Sequence, residues 1–383
     1  MSDSESIPTQ SVHGASSWRL ASDLVEAFVT CEAGHLAPVT FQTSRGPVQP
    51  FAIAPWAPAG ELLPPETPGL LTSLRGDFFC LPFGGNGKPW HGERHPPHGE
   101  TAGTPWTALE SSSIGDRTRL VAEIRPRVRP GRVVKTVELR TGETNVYCRH
   151  EVTGFAGRTS LGHHALLEIP EGGVGMVALS PWHLGQVCPQ PFEQPASRGY
   201  STLKTGARFT SLAKVPLATG GSTDVSRFPA HDGFDDLVMV SARPKQPLAW
   251  STVTVATHGY LWFALRDPRV LASTILWQSH GGRHYAPWSG RHRRVLGVED
   301  VTSYFHFGLA ESASPNPLSA SGVPTVLSLR SNRPLVVNYI MGVAALPRRF
   351  DRVKSVEPRG DHIRIVPVSG TAIEHPVDLA FLK

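Results

Sequence analysis

Histidines and carboxylates beside glycine-rich turns are the groups in this chain that could move protons. Between Arg75 and Trp106 the sequence reads RGDFFCLPFGGNGKPWHGERHPPHGETAGTPW, a compact apolar run followed by a glycine- and proline-rich loop carrying His91, His95 and His98. Titratable side chains on a loop that leaves a buried strand are how a scaffold presents chemistry. Four later places offer partners. Gly162-His163-His164 opens HHALLEI, and HDGFDDLVMV sets Asp232, Asp235 and Asp236 before an apolar run. STILWQSHGGR carries Trp277, His280 and Arg283, and RRVLGVEDV brings out Glu299. Glutamate and histidine are readily tuned to exchange protons near neutral pH, so the chemistry on offer is general acid–base catalysis. Arg75 and Arg283 add guanidinium forks that match a phosphate or carboxylate bidentately.

Each of these residues also has a plainer reading. A histidine on a strand face is commonly a satisfied core residue, and paired aspartates before a strand form an acidic turn. A lone carboxylate at a strand end is usually a surface group. The spacing of His91, His95 and His98 suggests a metal loop, but a zinc site needs three or four converging ligands. Pro96-Pro97 breaks any helix that would align the trio. No metal and no cofactor are expected.

Composition narrows the partners. The 37 basic and 32 acidic residues leave a net charge of +5, with the arginines scattered among acids. The densest basic run, Arg291-His292-Arg293-Arg294, reads as a solvated turn, so nucleic acid is not an expected partner. No stretch approaches the roughly 18 apolar residues of a membrane helix. The opening MSDSESIPTQ lacks the apolar centre of a secretory signal. Cys31, Cys80, Cys148 and Cys188 show no CxxC spacing, and a reduced, cytoplasmic setting is the expectation.

The elements that must hold the candidate residues are short. The 35 prolines and 37 glycines leave little room for long helices. LVEAFVTC, EAGH and LAPVTFQT read as strand, turn and strand. RTRLVAEI, RVVKTVELR and NVYCRHEVT alternate branched apolar with polar residues, the period of half-buried strands. A hairpin is predicted across Thr141-Gly142-Glu143, a short helix around 307–314, and few regular strands in 187–232. About fifteen or more short strands without βαβ alternation mean an all-β architecture. Residues 1–17 read as a flexible tail, and 18–383 as one large sandwich-like domain.

In order along the chain, these segments resemble the galactose mutarotase (aldose 1-epimerase) superfamily, and most closely its hexose-6-phosphate mutarotase branch. RGDFFCLPFGG resembles an early strand of that branch, and HGETAGTPW resembles the family's histidine–glycine loop, with His98 as its first active-site histidine. GHHALLEI resembles the strand of the second histidine, best matched by His164 with His163 as the competing register. GFDDLV is similar to the segment of a sugar-binding carboxylate, here Asp235, and VLGVED places Glu299 as the catalytic glutamate. The chain departs from the pattern at Ala102, where an arginine is usual, and at Asp77, where a glycine is usual.

The resemblance implies a β-supersandwich and an enzyme that interconverts the α and β anomers of an aldose. It implies Glu299, His164 and His98 as catalytic residues, and Asp235, Arg75, His163, Trp277 and Arg283 around the substrate. The partner would be a small sugar, neutral or anionic, with neither nucleic acid nor membrane involved. The competing expectation is a non-catalytic carbohydrate-binding protein on the same fold, since fold alone does not fix function.

Overall fold

The computed structural model describes residues 7–58 and 60–383. Short runs of alternating apolar residues, cut by glycine and proline turns, form two large antiparallel sheets. The larger has twelve strands. Through its middle run, as neighbours, Leu36–Thr43, Asp77–Cys80, Leu161–Glu168, Val295–Thr302, Ser273–His280, Phe234–Ala242 and Trp182–Val187. The second has nine strands, with Ala249–Val255, Tyr260–Arg266, Leu335–Ala345, Asn145–Thr153 and Arg132–Arg140 at its centre.

The main core lies between the facing sides of the two sheets. Leu296, Val298 and Leu276 of one meet Val253, Trp262 and Met341 of the other. Each such fully buried side chain contributes about 1.5–3 kcal/mol. A second apolar cluster, with Phe78, Phe83, Trp277 and Trp288, lies on the outer face of the larger sheet. A third sheet of three strands covers the outside of the nine-stranded sheet, packing Val356, Ile363 and Ile365 against Leu261, Phe263 and Ile340.

The predicted hairpin is present as Arg132–Arg140 paired with Asn145–Thr153, and Gly142 turns at a φ of 79°. The predicted helix is Leu309–Ala313. Beyond Val187 the long excursion holds only two-residue strands, at Arg208–Phe209, Val215–Pro216, Ser222–Thr223 and Arg227–Phe228. Among the described residues no helix is long and apolar enough to cross a membrane.

Two expectations are corrected here. Of the tail expected over residues 1–17, residues 1–6 lie outside the described residues, but Gln10–Val12 is a strand paired with Ala15–Ala21 at the edge of the larger sheet. The cause is Arg75. Its guanidinium, expected at the substrate, is fully buried and donates to the carbonyls of Val12, His13 and Ser73. A buried guanidinium needs acceptors for its donors, and the N-terminal strand supplies them.

Candidate active site

The pleat of the larger sheet builds the site. Successive side chains of a strand face opposite ways. On the five strands from Asp77–Cys80 to Phe234–Ala242, one set enters the core and the other lines the outer face. His164 and Glu299 are direct cross-strand partners in the register. This brings His164 Nε2 to 3.4 Å from Glu299 Oε1. The choice between the two histidines is thereby resolved. His163 points into the core, where Nδ1 lies 2.8 Å from Asp77 Oδ2 and the ring stacks on Tyr339. Its expected place at the substrate is corrected, because the pleat aims it away from the outer face.

Burial sets the protonation of the pair. Glu299 and His164 are 2% and 5% exposed, so neither charge is well solvated. Burial pushes the Glu299 carboxyl up from 4.5 to about 8, with the positive charge of Arg283 opposing in part. Burial, followed by repulsion from His98 and His35, holds His164 well below its ordinary 6.5. Burial therefore favours a protonated Glu299 beside a neutral His164 at neutral pH.

His98 reaches the same place from the histidine-rich loop. Its φ is 59°, and Gly99 beside it has a φ of 76°. A Cβ at Gly99 would lie 2.0 Å from the Leu81 carbonyl oxygen, so only glycine fits. The His98 ring stands edge-on to Phe83 at 4.9 Å and to His164 at 5.1 Å. Its Nδ1 is buried and has no partner among the described residues. Burial first, then His306 and His35, lowers His98 to about 3, a neutral imidazole at physiological pH. The other loop histidines go elsewhere: His91 is exposed, and His95 Nε2 pairs with Glu93 at 2.9 Å.

Behind the pair stands His35, which sequence reasoning missed. Phe78 is stacked between His35 and His164, with ring centroids 4.3 and 4.5 Å away. His35 Nδ1 and Nε2 lie 2.9 and 3.0 Å from the carbonyl oxygens of Ser73 and Ala102, and the neutral ring donates its single N–H to one of them. Ala102 is fully buried, and its main chain holds the ring stack where the resemblance led us to expect an arginine.

Asp235, Trp277 and Arg283 form one wall. Trp277 Nε1 donates to Asp235 Oδ2 at 2.9 Å, and the Gly282 amide donates to Oδ1 at 2.8 Å. Both oxygens of this buried carboxylate are thus engaged in ordering the wall. Burial raises Asp235 to about 6 despite Arg283 nearby. The Arg283 guanidinium lies 4.7 Å from the ring centroids of both Trp277 and Trp288. Its Nε donates to Glu193 Oε1 at 2.7 Å.

Glu193, His292 and His306 were also missed. His292 stacks on Trp277 at 5.3 Å, and His306 meets Phe192 edge-on at 5.1 Å. His292 Nε2 and His306 Nδ1 are buried without partners among the described residues. The aromatic run SYFHFG after Glu299 is the one sequence signal that pointed toward His306.

No protein-family model matches the sequence, and no curated protein matches it. Solved structures do match it. A proposed mutarotase of Salmonella typhimurium superposes with a TM-score of 0.57 at 12% identity, over 88% of this chain and 93% of the other. A proposed aldose 1-epimerase of Escherichia coli K12 gives 0.57 at 13% identity, over 87% of this chain and 100% of the other. A galactose mutarotase-like protein of Clostridium acetobutylicum gives 0.54 at 12% identity, over 88% and 98%. At such identities a likeness speaks for the fold alone. The chain has the galactose mutarotase-like fold, a β-supersandwich of large antiparallel sheets with few short helices.

Proposed function

We propose that this protein is an aldose 1-epimerase-like isomerase that interconverts the α and β anomers of a sugar. The observation that carries the reading is the buried Glu299–His164 pair, 3.4 Å apart on adjacent strands and holding one transferable proton. The contact is longer than a hydrogen bond, as catalytic contacts often are before substrate closes them. Transfer of the proton from Glu299 to His164 gives a carboxylate beside an imidazolium, the base and acid that the reaction needs.

Glu299 then takes the proton of the C1 hydroxyl, C1–O becomes a carbonyl, and the C1–O5 bond breaks. O5 leaves with the proton of His164. The open aldehyde turns about C1–C2 and presents its other face. O5 adds back, returning its proton to His164, and the carbonyl oxygen recovers a proton from Glu299. Protons balance over the cycle. Neutral His98 offers a ring N–H to the oxygen that gathers charge. Trp277 and Arg283 form the wall against which the sugar rests, and Asp235 holds that wall in place.

A structure of the protein soaked with glucose and galactose tests this placement. The expected result is one sugar with its C1 oxygen within hydrogen-bond reach of Glu299 and its ring oxygen within reach of His164. A sugar bound elsewhere, or with C1 turned away from the pair, would contradict it. Sugar binding without any exchange of anomers would instead favour a carbohydrate-binding protein.

A further inference from the structure

The excursion over 187–232 touches the site wall through one charged side chain, Glu193. We propose that Glu193 is a specificity-determining residue that makes the site accept an uncharged sugar in preference to an anionic one. This inference rests on the sugar-site reading above. Glu193 Oε1 accepts from Arg283 Nε at 2.7 Å and from the Tyr285 hydroxyl at 3.2 Å. The Arg283 and Glu193 side chains are only 16% and 6% exposed, so little water screens them. Asp235 Oδ2 lies 3.6 Å from the same Nε.

The guanidinium is therefore balanced by carboxylates on one edge. Its two terminal nitrogens have no hydrogen-bond partner among the described residues. They remain donors for sugar hydroxyls while their charge is cancelled. A phosphate or carboxylate arriving beside Arg283 meets Glu193 as a like charge in a poorly screened place, which is unfavourable.

The contact is built by the backbone. Arg198 to Tyr200 runs antiparallel to Gly282 to His284, with Tyr200 N donating to Gly282 O and His284 N to Arg198 O, both at 2.9 Å. Gly199 packs on the carboxylate itself, and a Cβ there would lie 2.1 Å from Glu193 Oε2. Two separate substitutions therefore reach the same interaction: Glu193→Gln removes the charge, and Gly199→Ala pushes the carboxylate off Arg283.

The test compares wild type, Glu193→Gln and Gly199→Ala, each with a native melting transition, on glucose, glucuronate and glucose 6-phosphate. Anomer exchange is measured by NMR and affinity by intrinsic tryptophan fluorescence. Wild type should favour glucose, and both variants should raise the anionic-to-neutral ratio about tenfold or more. Should Gly199→Ala fail to fold, the near-isosteric Glu193→Gln decides. Wild type preferring the anions, or an unmoved ratio in folded variants that exchange glucose, overturns the inference and leaves the isomerase reading standing. If no protein exchanges any sugar, the isomerase reading falls, and the affinity ratio decides on Glu193. Absence of binding to all three sugars overturns both.

Discussion

Burial disfavours charge on both Glu299 and His164, which keeps the Glu299 carboxyl protonated near neutrality and gives the proposed activity a defined pH dependence. The Glu299 carboxyl has its pKa raised from 4.5 to about 8, so the folded protein retains the proton through neutrality and loses it as pH rises through about 8. The kcat/KM for anomer exchange should therefore hold steady near neutrality and fall above pH about 8; a profile still rising through pH 9 would contradict a protonated Glu299. Gly297 gives a second prediction. A Cβ there would stand 3.0 Å from Glu299 Oε1 and 3.1 Å from Trp277 Cβ, so Gly297→Ala must shift one of them. Exchange should drop about tenfold to a hundredfold with the melting transition retained, since small misplacements of a reacting group are costly. At this scale the meeting of His98, His164 and Glu299 in one place was legible, because each sits in a short motif with its own turn or strand signature. His163 and His164 could not be separated, because a strand of period two presents either residue when both faces carry polar groups. His35 and Glu193 come from segments distant in sequence, and only the folded chain brings them to the site.

The strand that carries Glu299 is fixed by the residue after it. Asp300 faces the core, where Oδ1 lies 2.8 Å from Arg266 Nη1 and accepts from the Thr274 hydroxyl at 2.7 Å. Its Oδ2 accepts from the Tyr339 hydroxyl at 2.7 Å. Arg266 and Tyr339 belong to the nine-stranded sheet, so Asp300 joins the two sheets directly behind Glu299. Both ions are buried. Asp300→Asn leaves Arg266 uncompensated and should cost about 3–5 kcal/mol of stability. The midpoint of urea unfolding measures this, and an unchanged midpoint would remove Asp300 from the account. Element types were largely readable, since the alternation in RVVKTVELR and NVYCRHEVT is the pattern of the observed hairpin. The excursion past Val187 is poor in strand pattern and holds only two-residue strands. Its role at the wall was not readable, because two-residue pairings such as that of Gly199 with Arg283 leave no periodic signal.

The whole molecule keeps several imidazoles out of water. His35, His292 and His375 are buried, and burial lowers them from 6.5 to about 3, 3 and 4. Their folded values lie below their unfolded ones, so the unfolded chain binds more protons once pH falls under about 6.5. The stability of the neutral forms is present above that value and is lost as pH falls toward about 3. The melting temperature should decline steeply on acidification below pH about 6, and a flat profile down to pH 4 would show these rings to be solvated. At this scale the all-β class followed from turn spacing and strand count. The N-terminal strand did not, because its sequence is polar and the Arg75 guanidinium that holds Val12 and His13 lies far away in the chain.

The central claim is that Glu299 and His164 exchange protons with an aldose. It is tested most directly by NMR exchange between the α and β anomers of glucose and galactose, with wild type, Glu299→Gln and His164→Ala at equal concentration. Wild type should accelerate exchange of at least one of these sugars, and each substitution should slow it by about 10²–10⁴-fold. Acceleration that survives both substitutions, or no acceleration by wild type, would contradict the claim.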